Sequence, residues 1–253
     1  MSYDGFRVER DGDIARITLD VPGKFNRVSM LARAELRGVI EELDADEAVG
    51  FVVLSGAGGA FTAGGDIAGF LEASPWDVSR LADNVAAPER CRKPVLAALR
   101  GYVFGVGLEL ALACDFRLAA PDVQLALPEA TIGMIPGSGG TQRLARLVGL
   151  GRAKDIVMRG RRVPADEARA LGLVTEVAED VDAAADALCA ELRRLSPLAL
   201  AMAKRVLNLA YDGPLHLGLE VEGLAYGLLQ QSHDFREGVE AFVNKRPPSF
   251  EGR

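Results

Sequence analysis

Val95-Leu-Ala-Ala-Leu-Arg-Gly-Tyr-Val-Phe-Gly-Val-Gly-Leu-Glu-Leu-Ala-Leu-Ala113 passes from an unbroken apolar run through a glycine-rich loop into an apolar helical stretch. The run Val95–Leu99 predicts a strand buried on both faces, Gly101–Gly107 a loop, and Leu108–Ala113 a helix. Short strands are expected near 116–119 and 123–126. The same grammar occurs earlier, where Phe51-Val-Val-Leu54 ends in Ser-Gly-Ala-Gly-Gly59 and Asp66 stands where it can cap the next helix. Strand, glycine loop and helix are thus used twice, with no fixed-period sequence repeat.

Outward from this centre, residues 6–10 and 14–19 alternate as two strands around Asp11-Gly-Asp13, so a hairpin opens the chain. Ser29 is placed to cap a helix over 30–45, whose Leu36, Val39, Ile40 and Leu43 recur at helical spacing. After about Gly139 the pattern turns helical, with segments near 140–147, 151–159, 165–171, 182–194, 197–210, 214–230 and 234–244. Leu195-Ser-Pro197 is the natural joint, dividing a core over 1–195 from a helical region over 196–253. Leu215, Leu217, Leu219, Val221, Leu224, Tyr226, Leu228 and Leu229 surround more of their helix than one apolar stripe requires. That helix is sandwiched within its own subunit or packs between subunits.

A chain of 253 residues, 49% hydrophobic and 26% charged, can bury a sizeable core. Its formal net charge of −7 argues against general affinity for nucleic acid or anionic membranes, so an anionic ligand needs a local basic cluster. Cys91, Cys114 and Cys189 lie in apolar or helical contexts without a C-x-x-C and read as buried thiols in a reducing compartment. Met1–Arg7 lacks the apolar run of a signal peptide and no stretch approaches a bilayer span, which makes the cytoplasm the expected location.

Two loops, Phe61-Thr-Ala-Gly-Gly-Asp66 and Gly105-Val-Gly107, each lead from a buried strand into a helix. Backbone N–H groups at helix starts lack intrahelical partners, so two such loops on neighbouring strands can aim two donors at one oxygen. Glu109 stands in the otherwise apolar Leu108–Ala113 and faces a partly desolvated pocket. Glu129 follows Pro128 at a strand end and precedes a loop rich in Gly and Pro. Neither loop matches a nucleotide fingerprint. Ser138, in Gly137-Ser-Gly-Gly140, lacks both G-x-S-x-G and a suitably placed histidine, and His216 and His233 fall in the helical tail as structural residues. No His/Cys/carboxylate grouping has metal-ligand spacing.

Residues 93–144, K-P-V-L-A-A-L-R-G-Y-V-F-G-V-G-L-E-L-A-L-A-C-D-F-R-L-A-A-P-D-V-Q-L-A-L-P-E-A-T-I-G-M-I-P-G-S-G-G-T-Q-R-L, resemble the enoyl-CoA hydratase/isomerase (crotonase) family. Further likeness runs from Leu19-Asp-Val-Pro-Gly-Lys-Phe-Asn26 through Phe61–Ile67 to Ala241-Phe-Val-Asn-Lys-Arg246, nearly the whole chain. The resemblance implies an α/β fold, the crotonase (ClpP-like) spiral of ββα units, with a C-terminal helical region that builds homotrimers, often paired into hexamers. It implies a trans-2-enoyl-CoA hydratase with no resident cofactor, coenzyme A being part of the acyl-CoA thioester substrate.

Carried over by position, the oxyanion donors are the N–H groups of Gly65 and Val106, the acid/base pair is Glu109 and Glu129, and the Gly137 N–H helps fix the water. Lys24 approaches the nucleotide end of coenzyme A, while Phe242 and Lys245 reach the ligand near a subunit boundary. Asn26, Ala63, Asp66, Ile67, Gly105 and Pro128 complete the expected coenzyme A and substrate contacts. One departure stands out. The family usually has glycine where this chain has Val106, whose β-branched side chain resists φ > 0 and adds bulk at the oxygen-binding turn. A Δ3-Δ2-enoyl-CoA isomerase is the nearest alternative, though it often keeps only one of the two glutamates. A crotonase-fold RNA-binding protein would need a basic helical stripe, and the best candidate, Arg33-Ala-Glu-Leu-Arg37, is interrupted by acid.

Overall fold

A computed structural model describes residues 3–253. Its strands are β1 (Phe6–Asp11), β2 (Ile14–Leu19), β3 (Phe51–Gly56), β4 (Val95–Leu99), β5 (Tyr102–Phe104), β6 (Phe116–Ala119), β7 (Gln124–Ala126), β8 (Val163–Pro164) and β9 (Glu176–Val177). The helices are α1 (Met30–Ala45), α2 (Pro75–Ser79), α3 (Leu81–Val85), α4 (Ala87–Arg90), α5 (Val106–Ala113), α6 (Gly140–Val148), α7 (Leu150–Arg159), α8 (Ala165–Ala170), α9 (Val181–Leu192), α10 (Pro197–Asn208), α11 (Leu215–Gln230) and α12 (His233–Val243).

β1 and β2 form the expected antiparallel hairpin, and every later pair in the large sheet, ordered β1-β2-β3-β4-β6-β9, is parallel. A small sheet takes β5-β7-β8. The chain alternates between these two layers. After β2, Val28 bridges Gly65; after β3, Thr62 bridges Val103; β4 is followed by β5 and β6 by β7. Each pass then leads into helical structure, which is the expected succession of ββα units.

Alternation along the strands explains why the large sheet is covered on both sides. Ala15, Ile17, Leu19, Val52, Leu54, Val95, Ala97 and Leu99 face the main core with α1 and α5. Ile14, Phe51, Val53, Leu96, Ala98 and Leu118 face the other way, against Val181, Ala185, Cys189 and Leu192 of α9. A two-sided strand cannot alternate polar and apolar residues, hence the continuous apolar runs. Ser29 caps α1 as expected, accepting from the Ala32 N–H at 2.9 Å. The three cysteines are buried and free; burial pushes the thiols of Cys91 and Cys189 up to about 11 and that of Cys114 up to about 12.

Two local expectations are corrected. Residues 101–107 are not one loop, because β5 pairs with β7 inside it and α5 already begins at Val106. Asp66 caps no helix: its N–H donates to the Val28 carbonyl at 3.0 Å and its carboxylate pairs with Arg27 at 3.3 Å. The chain beyond it makes a 3-10 turn over Ala68–Leu71 and then α2–α4.

The helices after Ser196 extend the core. Lys204 of α10 pairs with Asp115 at 2.7 Å and donates to the Pro88 and Lys93 carbonyls. Asp234, 3% exposed, accepts from Ser196 and from the N–H groups of Glu251 and Gly252, tying the tail back to the joint. On α11 only Ala225 is buried, so its apolar side chains are not sandwiched within the chain. Among the described residues, no helix is long and apolar enough to cross a membrane.

Asn26 holds the first motif segment. Its backbone takes φ +55°, a left-handed value asparagine tolerates better than most residues. Its side-chain oxygen accepts from the Val21 N–H at 3.0 Å, and its amide donates to the carbonyls of Ala57, Ala60 and Phe61. Replacing Asn26 by Ala strands several of these buried groups and is expected to lower stability by about 2–4 kcal/mol, read as a lower denaturant midpoint at unchanged slope.

Candidate active site

The two glycine loops meet as the sequence anticipates. Val28 accepts from the Asp66 N–H and donates to the Gly64 carbonyl, both at 3.0 Å, the pattern of a parallel bridge that flanks Gly65 on either side. The N–H of Gly65 itself is therefore turned away from Val28, and among the described residues it has no acceptor. In the second loop, Gly105 adopts φ 54°, ψ −124°, a conformation open to glycine. Val106 follows as the first residue of α5, and the first turn closes only when the Glu109 N–H reaches the Gly105 carbonyl at 3.0 Å. The Val106 N–H thus has no intrahelical partner. The segments that carry the two loops are hydrogen-bonded side by side, the Thr62 N–H donating to the Tyr102 carbonyl at 2.9 Å and the Phe104 N–H to the Thr62 carbonyl at 3.0 Å.

The Val106 departure is resolved by this geometry. Positive φ falls on Gly105, leaving Val106 in ordinary helical backbone, and its side chain joins the main apolar core with 5% exposure.

Glu109, in the first turn of α5, is 2% exposed. Its Oε1 accepts from the Ser138 N–H at 2.7 Å and the Gly140 N–H at 3.0 Å. A Cβ on Gly140 would stand 3.0 Å from that oxygen and 2.9 Å from Pro136, which explains the glycine there. Glu129 opens the 3-10 turn Glu129–Ile132 and approaches the same helix start, its Oε1 lying 3.2 Å from where a Gly105 Cβ would be. Its Oε2 is buried without a partner among the described residues. Burial pushes the Glu129 carboxyl up to about 7; its own backbone N–H opposes this, Glu109 adds to it, and Arg33 opposes it.

Four contributors escaped the motif reading. Ser138 and Gly140 donate to Glu109, while Gly137 is exposed beside them. Arg143 of α6 donates to the Ser138 carbonyl at 3.1 Å and is paired with Glu89, which steadies the same turn. Arg33, 5% exposed on α1, donates to Ser138 Oγ at 3.3 Å. Its position three residues before Leu36 and seven before Ile40 was the available signal, because that places it on the buried stripe of its helix. The candidate basic stripe is dismantled by the same facts: Arg33 is buried and Arg37 pairs with Glu41 at 2.8 Å.

The remaining expected contacts divide. Ala63, Ile67 and Gly105 lie on the meeting loops, with Ala63 and Ile67 exposed, and Pro128 adjoins Glu129. Asp66 is engaged with Arg27. Asn26 has its amide hydrogens directed at the carbonyls of Ala57, Ala60 and Phe61, so its side chain shapes the segment that leads into the first glycine loop. Lys24 is exposed beside Phe25, which lines a cleft of about 410 Å³ with Gly58, Gly59, Tyr102, Asp122 and Arg162. The Arg162 guanidinium lies over the rings of Tyr102 and Phe104. Phe242 and Lys245 are not brought to the glutamates by this chain; Phe242, 86% exposed, lines an apolar cavity with Tyr226, Phe235 and Phe250 on the C-terminal helices.

Comparison with known proteins identifies the family. The family model described as Enoyl-CoA hydratase/isomerase matches residues 9–253. A 2,3-dehydroadipyl-CoA hydratase of Escherichia coli is 34% identical over 253 residues, covering 97% of this chain and 98% of that protein. A short-chain-enoyl-CoA hydratase of Clostridium acetobutylicum is 32% identical, with 97% of each chain covered. The crystal structure of an enoyl-CoA hydratase from Bacillus anthracis superposes with a TM-score of 0.91 at 33% identity, over 99% of this chain and 100% of the other.

The coupling of the two carboxyls is directly measurable. In protein labelled with ¹³C at the glutamate carboxyls, one resonance is expected to titrate near pH 7 and to vanish in Glu129→Gln. Glu109→Gln removes a neighbouring negative charge, so the same midpoint is expected to fall.

Proposed function

The chain belongs to the enoyl-CoA hydratase/isomerase family and is an enzyme of that kind, and from that premise we propose that it adds water across the 2,3 double bond of a trans-2-enoyl-CoA, giving the 3-hydroxyacyl-CoA. The observation that carries this reading is the unequal pair of carboxyls at one helix start. One receives two backbone N–H donors and the other, without a protein partner on Oε2, is pushed up to about 7. Water addition needs a base side and an acid side in one pocket, and this pair has both characters. An isomerase shuttles a single proton and has no need of the second group.

In the proposed reaction the thioester oxygen accepts from the N–H groups of Gly65 and Val106. Glu109, oriented by Ser138 and Gly140, positions a water and takes its proton as the oxygen bonds to the β-carbon, with the Gly137 N–H helping to hold that water. The electron pair of the double bond moves toward the thioester oxygen, where the two donors stabilise the enolate; such a donor is worth roughly a hundred- to a thousandfold in rate. Glu129, protonated, delivers a proton to the α-carbon. Lys24, Arg162 and the cleft lined by Phe25 offer a local site for the polyanionic nucleotide end on an otherwise acidic chain. Phe242 and Lys245 would complete the ligand site from a neighbouring subunit.

Assembly follows from the same reading. Leu215, Leu224, Tyr226 and Leu228 of α11 are all at least 69% exposed in the single chain, far more apolar surface than a solitary helix needs to show. A homotrimer, or two trimers paired, covers it.

Loss of enoyl-thioester absorbance with crotonyl-CoA tests the chemistry. Glu109→Gln and Glu129→Gln are each expected to lower kcat by about 10²–10⁴-fold, and near wild-type rates in both would refute the mechanism. Glu129 acts protonated in hydration, so the forward rate is expected to hold below pH 7 and to decline as pH rises through about 7. Light scattering should return three or six times the 26.9 kDa chain mass, and Leu224→Glu should shift it toward the single chain.

A further inference from the structure

Arg33 belongs to no motif, yet it reaches the centre of the site. It leaves α1 on the buried stripe, and its guanidinium lies 5.2 Å from the centre of the Phe70 ring. Its Nη2 is so near Gly65 that a Cβ on that glycine would stand 2.6 Å away. Nη1 donates to Ser138 Oγ at 3.3 Å, while Nε is buried and has no partner among the described residues. Packing alone accounts poorly for this residue. A guanidinium stays protonated, and a buried one ordinarily has a carboxylate in bidentate contact. Among the described residues none is salt-bridged to Arg33, although both Glu109 and Glu129 act on its charge. Leucine would fill the same stripe without the desolvation cost.

The contacts form a chain across the fold: Arg33 donates to the Ser138 hydroxyl, and the Ser138 N–H donates to Glu109. We propose that Arg33 is the positioning residue of the two-glutamate site, holding the Ser138 turn onto Glu109 and supplying a fixed positive charge that both carboxyls feel. This deepens the hydratase reading and depends on it only where turnover is measured. The charged groups acting on Glu129 are Glu109 from α5 and Arg33 from α1. On α7, packed beneath the Glu129 turn, Asp155 pairs with Arg159 and Arg161; on α6, Arg143 pairs with Glu89. Those charges are paired locally, and Arg33 is the cation whose charge acts on Glu129.

The test uses full-length protein, titrating the Glu129 ¹³C carboxyl resonance and following the pH dependence of crotonyl-CoA hydration. Arg33→Met removes the charge and keeps much of the stem. It is expected to move the Glu129 midpoint, and the alkaline limb of kcat with it, upward by about one pH unit. Arg33→Lys should hold both near wild type. Ser138→Ala should leave the midpoint in place while lowering kcat more than it changes KM. A midpoint unmoved by Arg33→Met, or moved as far by Arg33→Lys, overturns the proposal. If Arg33→Met does not fold, Arg33→Gln provides the neutral comparison; failure of both to fold while Arg33→Lys folds like wild type assigns the residue to stability and overturns the proposal too. A shifted resonance without turnover of any enoyl-CoA counts against the hydratase reading and leaves this inference standing.

Discussion

A carboxylate cannot be buried in an apolar helix without donors, and Glu109 sits in the first turn of one at 2% exposure. The rest of the site answers that requirement. The turn from Pro136 to Gly140 brings two N–H groups to one carboxylate oxygen, and it can do so only with glycine at 140, where a Cβ would press on the carboxylate itself. Ser138 is then held from two directions, its hydroxyl by Arg33 of α1 and its carbonyl by Arg143 of α6. Residues 33, 109, 138 and 143 thereby form one hydrogen-bonded unit drawn from three helices and the turn between them. Such buried networks stabilise one arrangement strongly because partial satisfaction is costly.

The spiral makes this unit possible. Parallel strands in the large sheet end on the same side, and each pass detours through the small layer before its helix. The bridges Val28–Gly65 and Thr62–Val103 bring the first glycine loop against the second, the pairing on which the proposed pair of N–H donors rests. Glu129 arrives from the next pass, after β7, and its carboxyl lies against Gly105. Three consecutive passes therefore each contribute one element to the site.

Much of this was legible in the residues. The apolar runs at 51–54 and 95–99 marked two-sided strands, the Ser29 cap and α1 stripe were readable from spacing, and resemblance identified both glutamates and both glycine loops. Other features were misread because their partners are remote. Asp66 looks like a helix cap in sequence, but Arg27 and Val28 engage it first. The structural duty of Asn26, whose amide is used on carbonyls at 57, 60 and 61, likewise lies with partners remote in sequence. Arg33 looked like a surface cation, although its phase on α1 already placed it inward.

The sequence by itself determined the order of strands, loops and helices, the family, and which residue types stand at the centre, because periodicity and glycine placement are local properties of the chain. Only the tertiary structure decided which N–H groups serve Glu109, that Glu129 is the carboxyl pushed up to about 7, and that a buried arginine lies within range of both. Those outcomes depend on desolvation and on charges brought together from residues 33, 109 and 129. Both are set by distances in space, which separation along the chain does not specify.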